Sequence, residues 1–445
     1  MQYDYGAGVL RVKTGADHTI IGQNKLSDSA DVKPVSLFGR FFKILGPGLV
    51  AACVVIGPGS IVTSSSVGAI AGFANVWVVI VSVIFMSVYL TLAVRLGVVT
   101  QRSAGDVIAD AAGRFLSILV GVSVFFIAAA YQFGNNLGVH AAINGFIPWN
   151  YWVVILNAFA LMFLFGFKDL YAMLERCMAV LVGVMLVAFA TNLAFARPDP
   201  MALLRGLNPF SGSTEFGLPL MGLIGTTFIV SNALYQSYLV RFKGWNVADM
   251  KLGLFDARVG ATIMAVITLM IMCTSASVFH PQLLAGEMAI EDINDVSKIA
   301  NQLEPLFGPA GRYVFCIGLF SAAYSSFIVN SMIGGFVLSD ALKLGNLPNE
   351  RGPRIMSAIV LLSGMGVALY MIVTGVGKPA GLIVAAQATT VVASPLIAAT
   401  LLWLTNRKSV MGEKTNGPVT NAVAGIGLIV LLLISAKILF IDLLK

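Results

Sequence analysis

Four consecutive residues, Gly57-Pro58-Gly59-Ser60, interrupt an apolar run extending from about Ile44 to about Ala71. They could offer backbone carbonyls, N–H groups and one hydroxyl to a small solute. Pro58 removes a donor and clashes with the preceding turn, while the glycines accept dihedrals that other residues resist, so the helix is expected to open here. Unwound backbone at membrane depth is tolerated only where it is buried in protein or lines a polar cavity. The chemistry expected is therefore recognition of a solute by neutral groups. The plainer reading is a kink, since proline and glycine are common in membrane helices.

Two further polar sets stand in apolar surroundings. The first runs through Gly225-Thr226-Thr227-Phe228-Ile229-Val230-Ser231-Asn232 to Gln236 and Ser237. It has no proline, so its small and β-branched residues permit a break without requiring one. The second is Tyr131, Gln132, Asn135 and Asn136, of which the last three share one helix face. Such a face points to the bundle interior or to water, or else makes interhelical hydrogen bonds. Ser321, Tyr324, Ser325, Ser326, Asn330 and Ser331 read mostly as packing residues, because serines in such helices bond back to their own backbone. No enzyme is expected: the serines have no positioned His and Asp, and there is no dinucleotide fingerprint, P-loop or HExxH. Cys53, Cys177, Cys273 and Cys316 occur singly, as buried thiols do. No cofactor is implied.

The elements that must position these groups are membrane helices. Of 445 residues, 58% are hydrophobic and 11% charged, which describes a polytopic membrane protein. Eleven apolar spans are expected, at about 44–71, 74–94, 115–138, 151–167, 171–195, 218–240, 259–280, 311–338, 355–376, 380–404 and 420–441. Residues 1–42 read as a flexible cytoplasmic tail without a cleavable signal, and 43–445 as the transmembrane domain. With the N-terminus cytoplasmic, 21 of the 28 basic residues fall inside, and Glu287, Glu291, Asp292, Asp295 and Glu304 fall outside. The net charge of +7 thus addresses a multi-pass protein to the cell membrane, with the lipid bilayer and not nucleic acid as its partner. Breaks in spans one and six are what two inverted five-helix units produce, with span eleven appended. The two half-helices would meet around a water-accessible midplane pocket, in a monomer or weak oligomer. A receptor that does not transport is a further class that this pattern leaves open.

From about residue 45 to 441 the chain resembles the Nramp-type metal transporters. Leu45-Gly46-Pro47-Gly48, the Gly57 break, Gly68, Trp77 and Arg95-Leu96-Gly97 look like that family's first two helices in order and spacing. Leu174-Glu175-Arg176 is similar to a family signature. Gly225-Thr226-Thr227 through Asn232 and Ser237 aligns with the helix that carries the family's Met-Pro-His. Gln387, Pro395 and Met411-Gly412 match residues of span ten and the following loop. The resemblance implies an all-α LeuT-type fold of two inverted repeats with helices one and six broken, a midplane site and alternating access.

It also locates departures. The family's Asp-Pro-Gly-Asn is Gly57-Pro58-Gly59-Ser60, its Met-Pro-His is Ile229-Val230-Ser231, and the acidic pair near its proton route falls on Ala128 and Tyr131. Of its side-chain ligands only Gln387 carries over, with backbone carbonyls near Val54 and Thr226. Dehydrating a divalent ion without an anionic ligand costs several kcal/mol per charge. One expectation is a largely hydrated cation, for which Mg²⁺ is suited, held by donors such as Ser60, Thr226 and Gln387. This resembles the Nramp-related magnesium transporters, which likewise lack the proton route. The alternative is a small organic solute, its carboxylate on the half-helix beginning near Ser60, with Ser64, Ser65, Ser66, Asn135, Asn232 and Gln236 around it. Tyr131, Ile229 and Ser231 are further candidates for the substrate site of either cargo.

Overall fold

The computed structural model describes residues 3–6, 9–12, 46–210, 217–289, 296–375 and 379–442, and these are almost wholly helical. The chain divides into two units, Met1–Lys43 and Ile44–Lys445. In the first, strand β1 (Tyr3–Gly6) pairs antiparallel with β2 (Val9–Val12), Tyr3 opposite Val12. Nothing in the amino-acid pattern announced that hairpin. The rest of the expected tail, and Glu291, Asp292 and Asp295 of the acidic loop, lie outside the described residues.

The second unit begins with α1 (Pro47–Val55) and α2 (Pro58–Ala71), then α3 (Val76–Thr100), a short α4 (Ala104–Ala112) and α5 (Arg114–Asn144). It continues through α6 (Trp152–Gly166), α7 (Leu170–Ala196), α8 (Leu218–Thr227), α9 (Val230–Phe242) and α10 (Met250–Leu284). Last come α11 (Val296–Ala341), interrupted at Gly308, α12 (Arg351–Thr374), α13 (Pro379–Asn406) and α14 (Pro418–Lys437). Among the described residues eight helical spans are long and apolar enough to cross a membrane, one of them Leu218–Phe242 formed by α8 and α9 together, and the bent pair α1 and α2 makes a ninth. The remaining two expected spans coincide with α6 and α13, whose described apolar lengths, 152–166 and 390–406, are shorter. Several helices overrun their expected spans, α11, α10 and α5 most clearly. Hydropathy marks the apolar part of a helix, whereas backbone hydrogen bonding carries the helix on into polar sequence.

Packing sorts these helices into two groups. In one, α10 lies along α1, α2 and α3, with α9 against α3 and α8 against α2. In the other, α11 lies along α5, α7 and α12. Residues Pro47–Val55 and Val230–Val240 are all buried; α1 is small or apolar all round, as central helices are, whereas α9 also buries Asn232, Tyr235, Gln236 and Tyr238. By contrast, only a third of the apolar window of α12 or α14 is buried, and their remaining apolar surface belongs to the lipid side.

Candidate functional site

Both interrupted spans open, and they open differently. Between α1 and α2 the axis turns by 58°. Ile56 leaves the helical region at φ −97, ψ 77, and Gly57 is extended at φ −114, ψ −179. Gly57 thus holds a conformation open to any residue, and conformational freedom is not what the position requires. What requires glycine is space: a Cβ there would lie 2.9 Å from Ser326 Oγ and 3.1 Å from Asn135 Oδ1. In the sixth span, Phe228 and Ile229 leave the helix without a proline. The fully buried Phe228 ring sits 5.2 Å from that of Tyr89 and 5.7 Å from that of Phe85, so tertiary packing holds this break open.

Each break frees carbonyls that a continuous helix would have satisfied, and hydroxyls from neighbouring elements answer them. Ser60 Oγ donates to the Val55 carbonyl and Ser326 Oγ to the Val54 carbonyl at 3.4 Å. Tyr131 Oη donates to the Gly225 carbonyl at 3.2 Å and accepts from Thr390 Oγ1 at 3.2 Å. The two breaks touch through Thr63 Oγ1 and Thr226 Oγ1, 3.3 Å apart, while Thr63 also donates to the Gly59 carbonyl at 2.9 Å. Pro58 begins α2 and is seated against α5, where a Cβ on Gly138 would come within 2.1 Å of the Pro58 ring. A Gly138→Ala variant must move that ring or the helix. It is expected to lose about 1–3 kcal/mol, seen as a lowered melting temperature in detergent.

The polar face of α5 has a divided role. Gln132 Nε2 donates to the Phe327 carbonyl at 3.2 Å, and Gln132 Oε1 accepts from Asn330 Nδ2 at 3.2 Å and Asn135 Nδ2 at 3.4 Å. Asn136 Oδ1 accepts from Asn157 Nδ2 at 2.7 Å. Gln132 and Asn136 therefore tie α5 to α11 and α6, and of the three face residues Asn135 alone turns an oxygen to the first break.

The expected site residues separate accordingly. Val54, Gly57, Pro58, Gly59, Ser60, Tyr131, Asn135 and Thr226 gather at the breaks. Ile229 and Ser231 are buried where α9 starts. Asn232 and Gln236 turn instead to α1: Asn232 Nδ2 donates to the Ala51 carbonyl at 2.8 Å. Gln236, oriented to suit both partners, donates to the Pro47 carbonyl at 2.9 Å and accepts from Gly48 N–H at 3.3 Å. Ser64 is buried one turn beyond Ser60, its hydroxyl without a partner among the described residues. Gln387 belongs to α13, with its side chain outside the described residues. Ser326 and Thr63 are the functional candidates that sequence reasoning passed over. Ser326 was legible only as a small residue in a serine pair.

Every side chain meeting the two breaks, among the described residues, is neutral. Nor do the described residues contain a group of three or more His, Cys, Asp or Glu able to hold a metal ion. Ser60, Asn135 and Thr226 are at most 4% exposed. The oxygens at the two breaks are therefore shielded from solvent in this structure. What remains is a compact set of carbonyl, hydroxyl and amide oxygens suited to accepting hydrogen bonds or to weak coordination of a hard cation.

Comparison with known proteins bears on this arrangement. A family model described as natural resistance-associated macrophage protein-like, Nramp, matches residues 48–441. The chain is 27% identical over 350 residues to natural resistance-associated macrophage protein 1 of Homo sapiens, covering 71% of this chain and 63% of that protein. It thus spans a little under two thirds of the human relative. It is 25% identical over 397 residues to the divalent metal cation transporter MntH of Nostoc sp., covering 86% of this chain and 87% of that one. Among solved structures, the Eremococcus coleocola manganese transporter in complex with an aromatic bis-isothiourea substituted compound superposes with a TM-score of 0.76 at 18% identity. That match covers 91% of this chain and 87% of the other. MhsT in complex with L-phenylalanine superposes at 0.56 and 15% identity over 88% of this chain and 98% of its own. At these identities the structural likeness is one of fold.

Proposed function

The chain belongs to the Nramp family, and from that premise we propose that it is a secondary transporter carrying a divalent cation, Mg²⁺ or Mn²⁺ in class, largely hydrated and without a coupled proton. Membership and the names of its relatives, a divalent metal cation transporter and a manganese transporter, support a metal cargo and argue against an enzyme. The observation that carries the finer reading is the filling of the space beside Gly57. Where a carboxylate would project from an aspartate, the Ser326 hydroxyl and the Asn135 amide oxygen already stand within 3.1 Å of the Cβ position. A bare divalent ion needs anionic ligands to offset lost hydration. A hydrated ion presents water hydrogens outward instead, and an acceptor-rich neutral lining of carbonyls and amide oxygens fits that surface. Ile229 and Ser231 likewise offer neither a thioether for softer metals nor an imidazole for a proton. The excess of basic residues in the segments that the span pattern places on one side supports an orientation in a cell membrane with that side cytoplasmic.

A small organic carboxylate is the second reading. It is favoured by the start of α2, where Gly57 gives no side-chain cap to the first N–H groups, since an uncapped helix start attracts an anion. Uptake by the purified protein in liposomes separates the two. Entry of Mg²⁺ or Mn²⁺ with no acidification of the lumen is the expected result. Ion uptake with stoichiometric acidification would overturn the proton-free reading, and uptake confined to organic acids would overturn the metal.

A further inference from the structure

A cleft of about 450 Å³ lies where the end of α3, the short α4 and residues 407–410 after α13 come together. Thr100, Arg102, Asp110, Arg407 and Ser409 supply its polar lining, with Val99 and Val410 among its apolar walls. It is remote in sequence from both breaks, and the transport reading uses none of these residues. Arg407 is fixed in place: Nη1 donates to the Ala111 carbonyl at 2.6 Å, and the guanidinium stacks 4.7 Å above the Trp403 ring. Arg102 pairs with Asp110 at 2.7 Å, both side chains more than half exposed. Such a surface pair contributes at most about 1 kcal/mol, so Arg102 can exchange its carboxylate for a better anion at little loss.

We propose that this cleft binds the phosphodiester headgroup of an anionic glycerophospholipid. Two guanidiniums against one carboxylate leave the lining a net positive charge, which one phosphodiester neutralises. Planar guanidinium forks match phosphate oxygens in pairs, and the Thr100 and Ser409 hydroxyls add donors for the glycerol and remaining oxygens. Depth selects a lipid over phosphate from solution. Trp403 is 39% exposed beside the cleft, and an exposed tryptophan at the end of a membrane helix marks the headgroup level. Arg102 and Arg407 also belong to segments that the span pattern assigns to the basic, inner side, where pockets between helices hold anionic headgroups. A headgroup seated here would join α4 to the segment after α13, two elements that the Arg407 to Ala111 hydrogen bond already links.

The test uses the full-length protein in detergent, titrated with phosphatidylglycerol, phosphatidylcholine or inorganic phosphate while its melting temperature is read. Phosphatidylglycerol is expected to raise the melting temperature by several degrees, and the other two to leave it unchanged. An Arg102→Gln, Arg407→Gln variant should lose that rise, and Arg407→Lys should retain part of it. Lys251→Gln with Arg351→Gln, which removes two basic residues outside the cleft, should keep it in full. Should loss of Arg407 impair folding, the exposed Arg102→Gln alone is expected to weaken phosphatidylglycerol binding several-fold. An undiminished rise in the Arg102 variants overturns the proposal, and so does an equal rise with inorganic phosphate, which would make the occupant a free anion.

Discussion

A Gly57→Asp, Ser326→Gly double variant is expected to bind Mn²⁺ at least tenfold more tightly than the parent by titration calorimetry, with Gly57→Asp alone gaining much less. The order follows from space. Added by itself, the aspartate Cβ meets Ser326 Oγ at 2.9 Å and Ser326 Cβ at 3.3 Å, on a helix packed too firmly to retreat cheaply. Removing the serine side chain clears both contacts and leaves Asn135 Oδ1, at 3.1 Å, as the remaining neighbour. A unit charge pair about 4 Å apart is attracted by about 4 kcal/mol at an effective dielectric of 20, and more for a divalent ion. Desolvation of the carboxylate takes back much of this, yet only about 1.4 kcal/mol need survive to give tenfold. An unchanged affinity in the double variant would mean that the first break does not hold the ion. Tighter binding in the single variant than in the double would mean that Ser326 is itself a ligand and not an obstacle.

How far the amino-acid order reveals such a site depends on where the cause of each feature lies along the chain. The first break is local: Pro58 cannot donate, and the interruption follows from the residue itself. The second is not, because the residue that leaves the helix, Phe228, does so against Phe85 and Tyr89 in α3, far back in the sequence. The spacing of Gln132, Asn135 and Asn136 discloses a polar face but not its object. The partners that engage it, Asn330, the Phe327 carbonyl and Asn157, lie on other helices. Asn232 and Gln236 show the same limit. Their types suggest a solute, while their neighbours are the Ala51 carbonyl and the backbone of Pro47 and Gly48. Ser326 was hidden for a further reason, since a serine in a membrane helix most often bonds its own backbone, and only the missing side chain at Gly57 gives this one a second role.

Asp256→Ala is expected to lower stability by about 3 kcal/mol, with Asp256→Asn falling between it and the parent in melting temperature. Asp256 on α10 is fully buried, and its carboxylate accepts from Gly46 N–H at 2.8 Å and Gly48 N–H at 2.5 Å. It therefore caps α1 from another helix, at the end where the helix dipole favours a negative charge. Charge-assisted hydrogen bonds of this kind contribute about 1.5–3 kcal/mol each. Alanine strands the Gly46 donor in a buried setting, because Gln236 lies within reach of Gly48 but not of Gly46 in the same arrangement. Asparagine keeps one acceptor and gives up the charge, which is why it should fall between. The backbones here are too close for rearrangement to compensate: a Cβ on Gly260 would lie 2.3 Å from the Gly48 carbonyl oxygen. Nearby, Lys243 and Glu175 pair across α1's entry, with Glu175 filling the space beside Gly46. An unchanged melting temperature in Asp256→Ala would show that the half-helix leading into the first break is held by packing alone. A full loss in Asp256→Asn would show instead that one neutral acceptor is not enough to anchor it.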